Sequence, residues 1–369
     1  MPLHSKKILF FGPFTYRAID NESLMLQFKQ MGHDVYFLTM EAGTYIIPEL
    51  EKYGVKCFKL DIKGAGKFSL LKKVIFLVRF IRKHNIDIIF SHLEPANFLI
   101  TLAQSFVKSK IVIVRHHSDL FYINGLHTMF SYRYAYKKTK HVIAISNYSK
   151  EIMVEKEEVD ADKISVIPLS FNFDLFTKPD INVVKQIRQL LGVDLLLLSV
   201  GRLVHNKRLD IAVKVLNQLR NKGINAGLLI LGQGELEQSL QQLITENNLS
   251  DYCKLLGYKT NVMDYLAACD ILLHPSESEA SSLIIKEAGL QKKVIIGCAD
   301  VGDCGEYIIN GENGFLREKN SYLTQSVEII KNELMDLQKR IRVGENLYKT
   351  INDLYSINNN IGHYDKFLK

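Results

Sequence analysis

The chain has no CxxC pair, no apolar run long enough to cross a bilayer, and no internal repeat or low-complexity tract. Its five cysteines, Cys57, Cys253, Cys269, Cys298 and Cys304, are odd in number and dispersed. That pattern argues against a disulfide framework and a zinc site, and leaves buried thiols in a reducing cytoplasm as the expectation. A membrane-crossing helix needs about 20 apolar residues in a row, and none is present. The opening "MPLHSKKILFFGPF" carries a basic pair but only a short apolar run and no small-residue cleavage site, so it reads as a first strand rather than a secretion signal. The dinucleotide fingerprint is also missing. "GQGELE" offers Gly232 and Gly234 but has Glu237 where the third glycine belongs, which disfavours a nicotinamide dehydrogenase.

What is present is a 369-residue chain, 47% hydrophobic and 24% charged, of ordinary globular composition. At roughly 100–200 residues per domain, that length favours two domains. Charge is divided unevenly. Residues 1–175 hold 24 Lys and Arg against 17 Asp and Glu, and the remainder holds 23 of each, so the net +7 sits in the first half. Residues 52–83 contain ten basic residues and one acid, Asp61, and a second basic cluster comprises Arg133, Lys137, Lys138 and Lys140. Within the first cluster, "KFSLLKKVIFLVRFIRKH" (67–84) has the pattern of a basic amphipathic helix, suited either to packing on a sheet or to an anionic membrane surface. No nucleic-acid recognition motif accompanies the charge.

Short apolar runs alternate with helix-period segments. Strands are expected at 7–12, 34–39, 86–92, 110–116 and 141–146, then at 195–201, 226–232, 253–257, 270–275 and 293–298. Unbroken runs of this length suit strands covered on both faces, and helices between them imply parallel sheets. "LDIAVKVLNQLRNKG" (209–223) is the clearest helix, with Gly223 as its stop. The prolines and broken periodicity of residues 166–180 mark a connector. The expected fold is α/β, with two Rossmann-like doubly wound parallel-sheet domains facing across a cleft. The expected divisions are an N-terminal acceptor-side domain at 1–172, a nucleotide-sugar domain at 173–350, and a helical segment at 351–369 that returns to the first domain.

In open parallel sheets, ligands bind beyond the carboxyl ends of the strands. Three post-strand loops in the second half carry suitable residues. "GRLVHNKRLD" places Arg202 and Lys207 beside a helix start, and Gly201 permits close backbone approach, which together suit a diphosphate. "GQGELE" brings Gly232 and Gly234 to the next strand end. "ESEASSLIIKE" holds Glu279 and Glu287 eight positions apart, and the amides of Ser281, Ser282 and Leu283 fall at a helix start between them. Carboxylates suit hydroxyl-rich ligands. Each loop alone is also compatible with a solvated turn.

Together, "SVGRLVHNKRLDIAVKVL", "LLILGQGELEQSLQQL", "LLGYKTNVMDYLAACDILLHPSESEASSLIIKEAG" and "GEYIINGENGFL" resemble the retaining GT-B glycosyltransferases of the group 1 type (family 4) across nearly all of residues 195–316. The resemblance implies that Arg202 and Lys207 grip the diphosphate of a UDP- or GDP-linked sugar. It implies that Glu287 binds the ribose, Glu279 and the Ser281–Leu283 backbone meet the sugar or phosphate, and Tyr258 lies at the nucleobase. It implies catalysis by Arg and Lys in place of a metal, with no metal site and no cofactor beyond the co-substrate. The first half matches more loosely, through "FSHLEPANFL", "VRHHSDL", "HVIAISNYSK" and "VIPLSFNFDLF". The family's active-site histidine falls on His116 or His117. His116, directly at the strand end and three residues before Asp119, is favoured, with His92 a weaker candidate. Two departures stand out: the Gly-Gly loop after the first strand is reduced to Gly12, and "EAGLQKKVI" lacks the Gly-Lys-Pro turn.

The implied activity is sugar transfer to a hydroxyl of a glycan, a lipid-linked acceptor or a small molecule, in cell-surface polysaccharide synthesis. The implied location is the cytoplasm, either free or peripheral on the inner membrane face. A sugar-nucleotide epimerase on the same scaffold and a non-catalytic nucleotide-sugar binder are the alternatives.

Overall fold

The computed structural model describes residues 5–14, 18–40, 47–64, 66–117 and 126–369, the side chains of 126–129 excepted. Met1–Phe176 together with Tyr355–Lys369 form one compact unit, and Thr177–Leu354 form a second.

In the first unit, β1 (Lys7–Gly12), β2 (Asp34–Thr39), β3 (Lys56–Lys59), β4 (Ile88–His92), β5 (Lys110–Arg115), β6 (His141–Ala144) and β7 (Ile164–Val166) make one sheet in the order β3-β2-β1-β4-β5-β6-β7. All pairings are parallel. Ile8, Leu9, Phe10 and Phe11 are wholly buried, as a central strand covered on both faces demands. Phe10, Phe28 and Phe90 stack on one face, with ring centroids 5.6–6.2 Å apart. Tyr364 and Phe367 from the far end of the chain meet Phe90 edge-on. The same segment is tied down by Phe171 N donating to Tyr355 O at 2.7 Å and Ile357 N to Phe171 O at 2.9 Å.

The second unit holds β8 (Leu195–Val200), β9 (Ala226–Leu231), β10 (Cys253–Leu255), β11 (Ile271–His274), β12 (Val294–Cys298) and β13 (Phe315–Arg317), parallel in the order β10-β9-β8-β11-β12-β13. Helix Leu209–Asn221 buries Leu209, Ala212, Val213, Val215, Leu216 and Leu219 on the sheet, and the chain reverses at Gly223 with φ +81°. In both sheets the strand order reverses once, between β1 and β4 and between β8 and β11. The loops leaving those strands therefore diverge to opposite sides and open a crevice at the strand ends.

Three strands escaped the sequence reading: β3, β7 and β13. All lie at sheet edges and are only three or four residues long. An edge strand buries less and so lacks the continuous apolar run used to find the others. Cys253, Cys269, Cys298 and Cys304 are buried, Cys57 is partly so, and all are free thiols. Burial pushes each of the five up to about 12.

Candidate active site

Strand β8 ends at Val200, and the loop that follows is bound edge to edge with the loop after β9. Gly232 has φ +140°, and a Cβ there would lie 1.8 Å from the Gly201 carbonyl oxygen, so only glycine fits. A Cβ on Gly234 would lie 2.4 Å from Leu203 O. Leu203 N donates to Gln233 O at 2.9 Å, and Leu236 N to Leu203 O at 3.0 Å. Gly232 N reaches Gly257 O at 2.9 Å, so the β10 loop joins the same platform. Tyr258, the next residue, is two-thirds exposed.

The loop after β11 closes on the β8 loop from the other side. Lys207 lays its stem over Gly201 and donates to Glu279 Oε1 at 2.5 Å. His274 Nε2, at the end of β11, meets the same oxygen at 2.9 Å. Burial pushes the Glu279 carboxyl up, but the hydrogen bond from His274 and the Lys207 charge outweigh it and hold it at about 2. Beside this pair, Arg208 joins Glu277 in an ion pair, and Glu277 N donates to Asn206 O at 2.8 Å.

Ser282 stands at the N-cap of helix Leu283–Leu290, but its hydroxyl lies 3.2 Å from His274 Nε2 and does not cap the helix. The first-turn amides of an α-helix have no intrahelical acceptor, so here they also lack a side-chain cap. Ser281 donates to Asp303 Oδ2 at 2.5 Å, and the Lys286 ammonium, fully buried, reaches both Ser281 Oγ and Asp303 Oδ2 at 2.7 Å. Asp303 N reaches Ala280 O at 3.1 Å, pinning the small-residue run to the loop after β12. Leu283 is exposed.

Two predicted residues remain without partners. The Arg202 side chain is exposed and makes no hydrogen bond or ion pair among the described residues. Glu287, a turn and a half into the helix, makes none either, and burial alone raises its carboxyl to about 7. Gly201, Lys207, Gly232, Gly234, Glu279, Ser281 and Ser282 are thus joined by contacts across three loops. Arg202, Leu283 and Glu287 lie on the same loops or their helix, and Tyr258 on the loop after β10, without direct contacts to the Lys207–Glu279 pair.

In the first unit, His116 Nε2 lies 2.9 Å from His92 Nδ1. Burial lowers the pKa of both rings from the ordinary histidine value, which favours the neutral form of each. His117 turns the other way, and its Nε2 sits 2.9 Å from Glu94 Oε2. Glu94 belongs to a buried network that sequence reasoning missed. Arg115 makes a two-pronged bond to Glu157 at 2.8 and 2.7 Å, Tyr136 donates to Glu94 at 3.0 Å, and Asn97 donates to Tyr136 at 3.3 Å. Arg115 Nε also holds His117 O at 2.7 Å, fixing the backbone beside His116. Asp119 lies outside the described residues.

The sequence reading assigned no Asp-x-Asp metal motif, yet Asp160-Ala161-Asp162 has that spacing. Asp160 Oδ1 accepts from Asp162 N at 3.1 Å, and both residues are exposed in a turn ahead of β7, away from any strand's carboxyl end. The pair serves as a turn cap.

Residues 22–174 match the model of Glycosyltransferase Family 4, and residues 183–350 match that of Glycosyl transferases group 1. The chain belongs to the group 1 glycosyltransferases. An uncharacterized glycosyltransferase of Methanocaldococcus jannaschii is 27% identical over 308 residues, 81% of this chain and 77% of that protein. The UDP-Gal:alpha-D-GlcNAc-diphosphoundecaprenol alpha-1,3-galactosyltransferase of Escherichia coli is 27% identical over 310 residues, 77% of this chain and 79% of the other. Anabaena HepE, crystallised with UDP, superimposes with a TM-score of 0.83 at 19% identity, covering 98% of this chain and 99% of that one. A glycosyltransferase from Rickettsia africae gives 0.83 at 21% identity, covering 99% of each chain. These two structural likenesses speak to the fold, which is GT-B.

Set against its family, the site contains side chains that the sequence reading passed over: His274, Lys286 and Asp303. A signal existed for two of them. His274 is a polar residue ending an otherwise apolar strand, and Lys286 interrupts the apolar face of its helix. Asp303 gave none, because its partner stands 17 positions away.

Proposed function

We propose that the protein is a retaining glycosyltransferase that moves a sugar from a UDP- or GDP-linked donor to a hydroxyl of a glycan or lipid-linked acceptor, in the synthesis of cell-surface polysaccharide. The observation that carries this reading is the meeting of Lys207, His274 and Glu279 across two post-strand loops, together with an Arg202 and a Glu287 whose side chains have no partner among the described residues. A diphosphate satisfies Arg202 and competes for Lys207. The ribose hydroxyls of the nucleotide donate to Glu287, and their hydrogen bonds favour its ionised form. Glu279, ionised throughout the physiological range, accepts from sugar hydroxyls. The glycine platform of Gly201, Gly232 and Gly234 admits the donor close to the backbone, the uncapped amides from Ser281 to Leu283 face its sugar or phosphate, and Tyr258 lies toward the base.

In the transfer, the bond from the anomeric carbon to the diphosphate oxygen breaks, and a bond to the acceptor oxygen forms. The acceptor's proton leaves with the nucleoside diphosphate. Negative charge grows on the departing diphosphate, so cations already in place stabilise the transition state more than the ground state. Arg202 and Lys207 fill this role without a metal. His116, held by His92 and neutral, orients the sugar and the incoming acceptor. The E. coli relative is named for a diphosphoundecaprenol-linked acceptor, which supports the lipid-linked class.

The test is turnover of a panel of sugar nucleotides by Arg202→Ala and Glu287→Ala. The expected loss for Arg202→Ala is about 10²–10³-fold, the range for removing one donor to a developing anion. Near-wild-type rates in both variants contradict the site. Incubation with donor alone separates a transferase from an epimerase, which isomerises the sugar without an acceptor.

A further inference from the structure

Helix Lys67–His84 contains no acidic residue, and in its first half Leu70 and Val74 pack against the core while Phe68, Leu71 and Ile75 do not. Leu77, Phe80 and Ile81 are buried against the sheet, while Phe68 is 85% exposed, Leu71 56% and Ile75 40%. At 100° per residue, positions 68, 71, 72, 75, 79 and 83 share one face. That outward face therefore mixes Phe68, Leu71 and Ile75 with Lys72, Arg79 and Lys83. Alongside it runs a groove of about 680 Å³ between the helix and the edge strand β3, floored by Phe58 and Phe76 and rimmed by Lys59, Lys72, Arg79 and Lys83. None of these four cations makes an ion pair or side-chain hydrogen bond among the described residues. At the helix end, Arg82 binds Phe106 O at 3.1 and 2.7 Å, and Phe106 itself is 56% exposed.

We propose that this face docks the protein on a bilayer rich in anionic phospholipid, with Phe68, Leu71 and Ile75 entering the headgroup–acyl boundary and Lys59, Lys72, Arg79 and Lys83 on lipid phosphates. Charge complementarity and exposed apolar side chains occur here on one surface, and a bilayer interface satisfies both. A soluble polyanion engages only the cations and leaves the three apolar side chains in water. No helix among the described residues is long and apolar enough to cross a membrane, so the contact is with the surface. The proposal does not depend on the donor site, since it uses none of its residues.

The test is flotation of the full chain with phosphatidylcholine vesicles, with and without phosphatidylglycerol. The protein is expected to float only with the anionic vesicles and to be released by high salt. A Lys72→Glu, Arg79→Glu, Lys83→Glu triple variant is expected to lose about 100-fold in partition, at roughly 1 kcal/mol per cation before reversal of sign. A Phe68→Ser, Leu71→Ser, Ile75→Ser triple variant is expected to lose at least about tenfold. Thermal unfolding confirms that each variant is folded, and the single Phe68→Ser variant, at so exposed a position, keeps the test open if a triple is not. Failure of the wild type to float overturns the proposal. So does a charge-reversal loss with no apolar loss, which would assign the groove to a soluble polyanion or free phosphate. Donor turnover with a water-soluble acceptor is expected to stay unchanged in all variants, which separates this outcome from any failure of the enzymatic reading.

Discussion

Arg115 and Arg202 both follow from strand ends, one in each unit, and have opposite fates. Arg115 is fully buried, with Glu157, Glu94 and the His117 carbonyl around it. Arg202 is exposed and has none of these. The acids show the same contrast. Glu94 is buried, yet His117 and Arg115 hold its carboxyl below the usual range against the cost of burial. Glu287 is half-buried with nothing to offset the cost of desolvation, and its carboxyl rises to about 7. A buried polar group whose partners are all protein is part of the scaffold. One kept partly desolvated and unpaired is costly to the free protein, and that cost is recovered when a ligand supplies the partner.

The largest expected effect is on the saturated side. Arg115→Leu strands two buried carboxylates and should cost about 3–5 kcal/mol of stability, read as a fall in denaturant midpoint. A loss within about 0.5 kcal/mol would show that the network is incidental. Next come two substitutions with opposite pH signatures. The Glu279 carboxyl lies at about 2 against an ordinary 4.5, so its contribution is present above pH 4.5 and lost as pH falls toward 2. Glu279→Gln should therefore destabilise by about 2–3 kcal/mol at pH 7, with the gap closing in acid. Glu287 works the other way. With its carboxyl raised from 4.5 to about 7, the folded state holds the extra proton between those values, and stability declines as pH rises through that window. Glu287→Gln should stabilise the free protein by about 2–3 kcal/mol at pH 8 and make little difference at pH 4. Thermal unfolding at the two pH values reads both, and parallel pH profiles for the two variants would undo the contrast. The smallest effect is Arg202→Ala, within about 0.5 kcal/mol in stability although its activity collapses.

The central strands were legible because β1, β4, β8, β11 and β12 are buried on both faces and therefore written as unbroken apolar runs. Edge strands β3, β7 and β13 were not, since runs of only three or four residues are too short to carry such a pattern. Lys207 and Glu279 were found by residue type after a strand end, but their meeting at 2.5 Å is a product of the strand order, which places β8 beside β11. The Lys286–Asp303 pair joins the helix Leu283–Leu290 to the loop after β12, and no local spacing reports it. Between His116 and His117 the sequence favours His116 by its place at the strand end, but it does not report what either ring meets, and adjacent residues leave an extended chain on opposite sides. Only the structure shows that one meets His92 and the other Glu94. The sequence marked residues 67–84 as suited to either core or membrane, and the helix divides between buried and exposed apolar residues along its length.

Calorimetric titration of UDP and GDP into the wild type, Arg202→Ala and Glu287→Gln asks whether the partnerless groups of the second unit exist for a ligand. At least one nucleotide should bind the wild type and lose tenfold or more in affinity in both variants, roughly 1.4 kcal/mol each. Equal affinity in all three proteins, or no binding of either nucleotide to the wild type, would contradict the account.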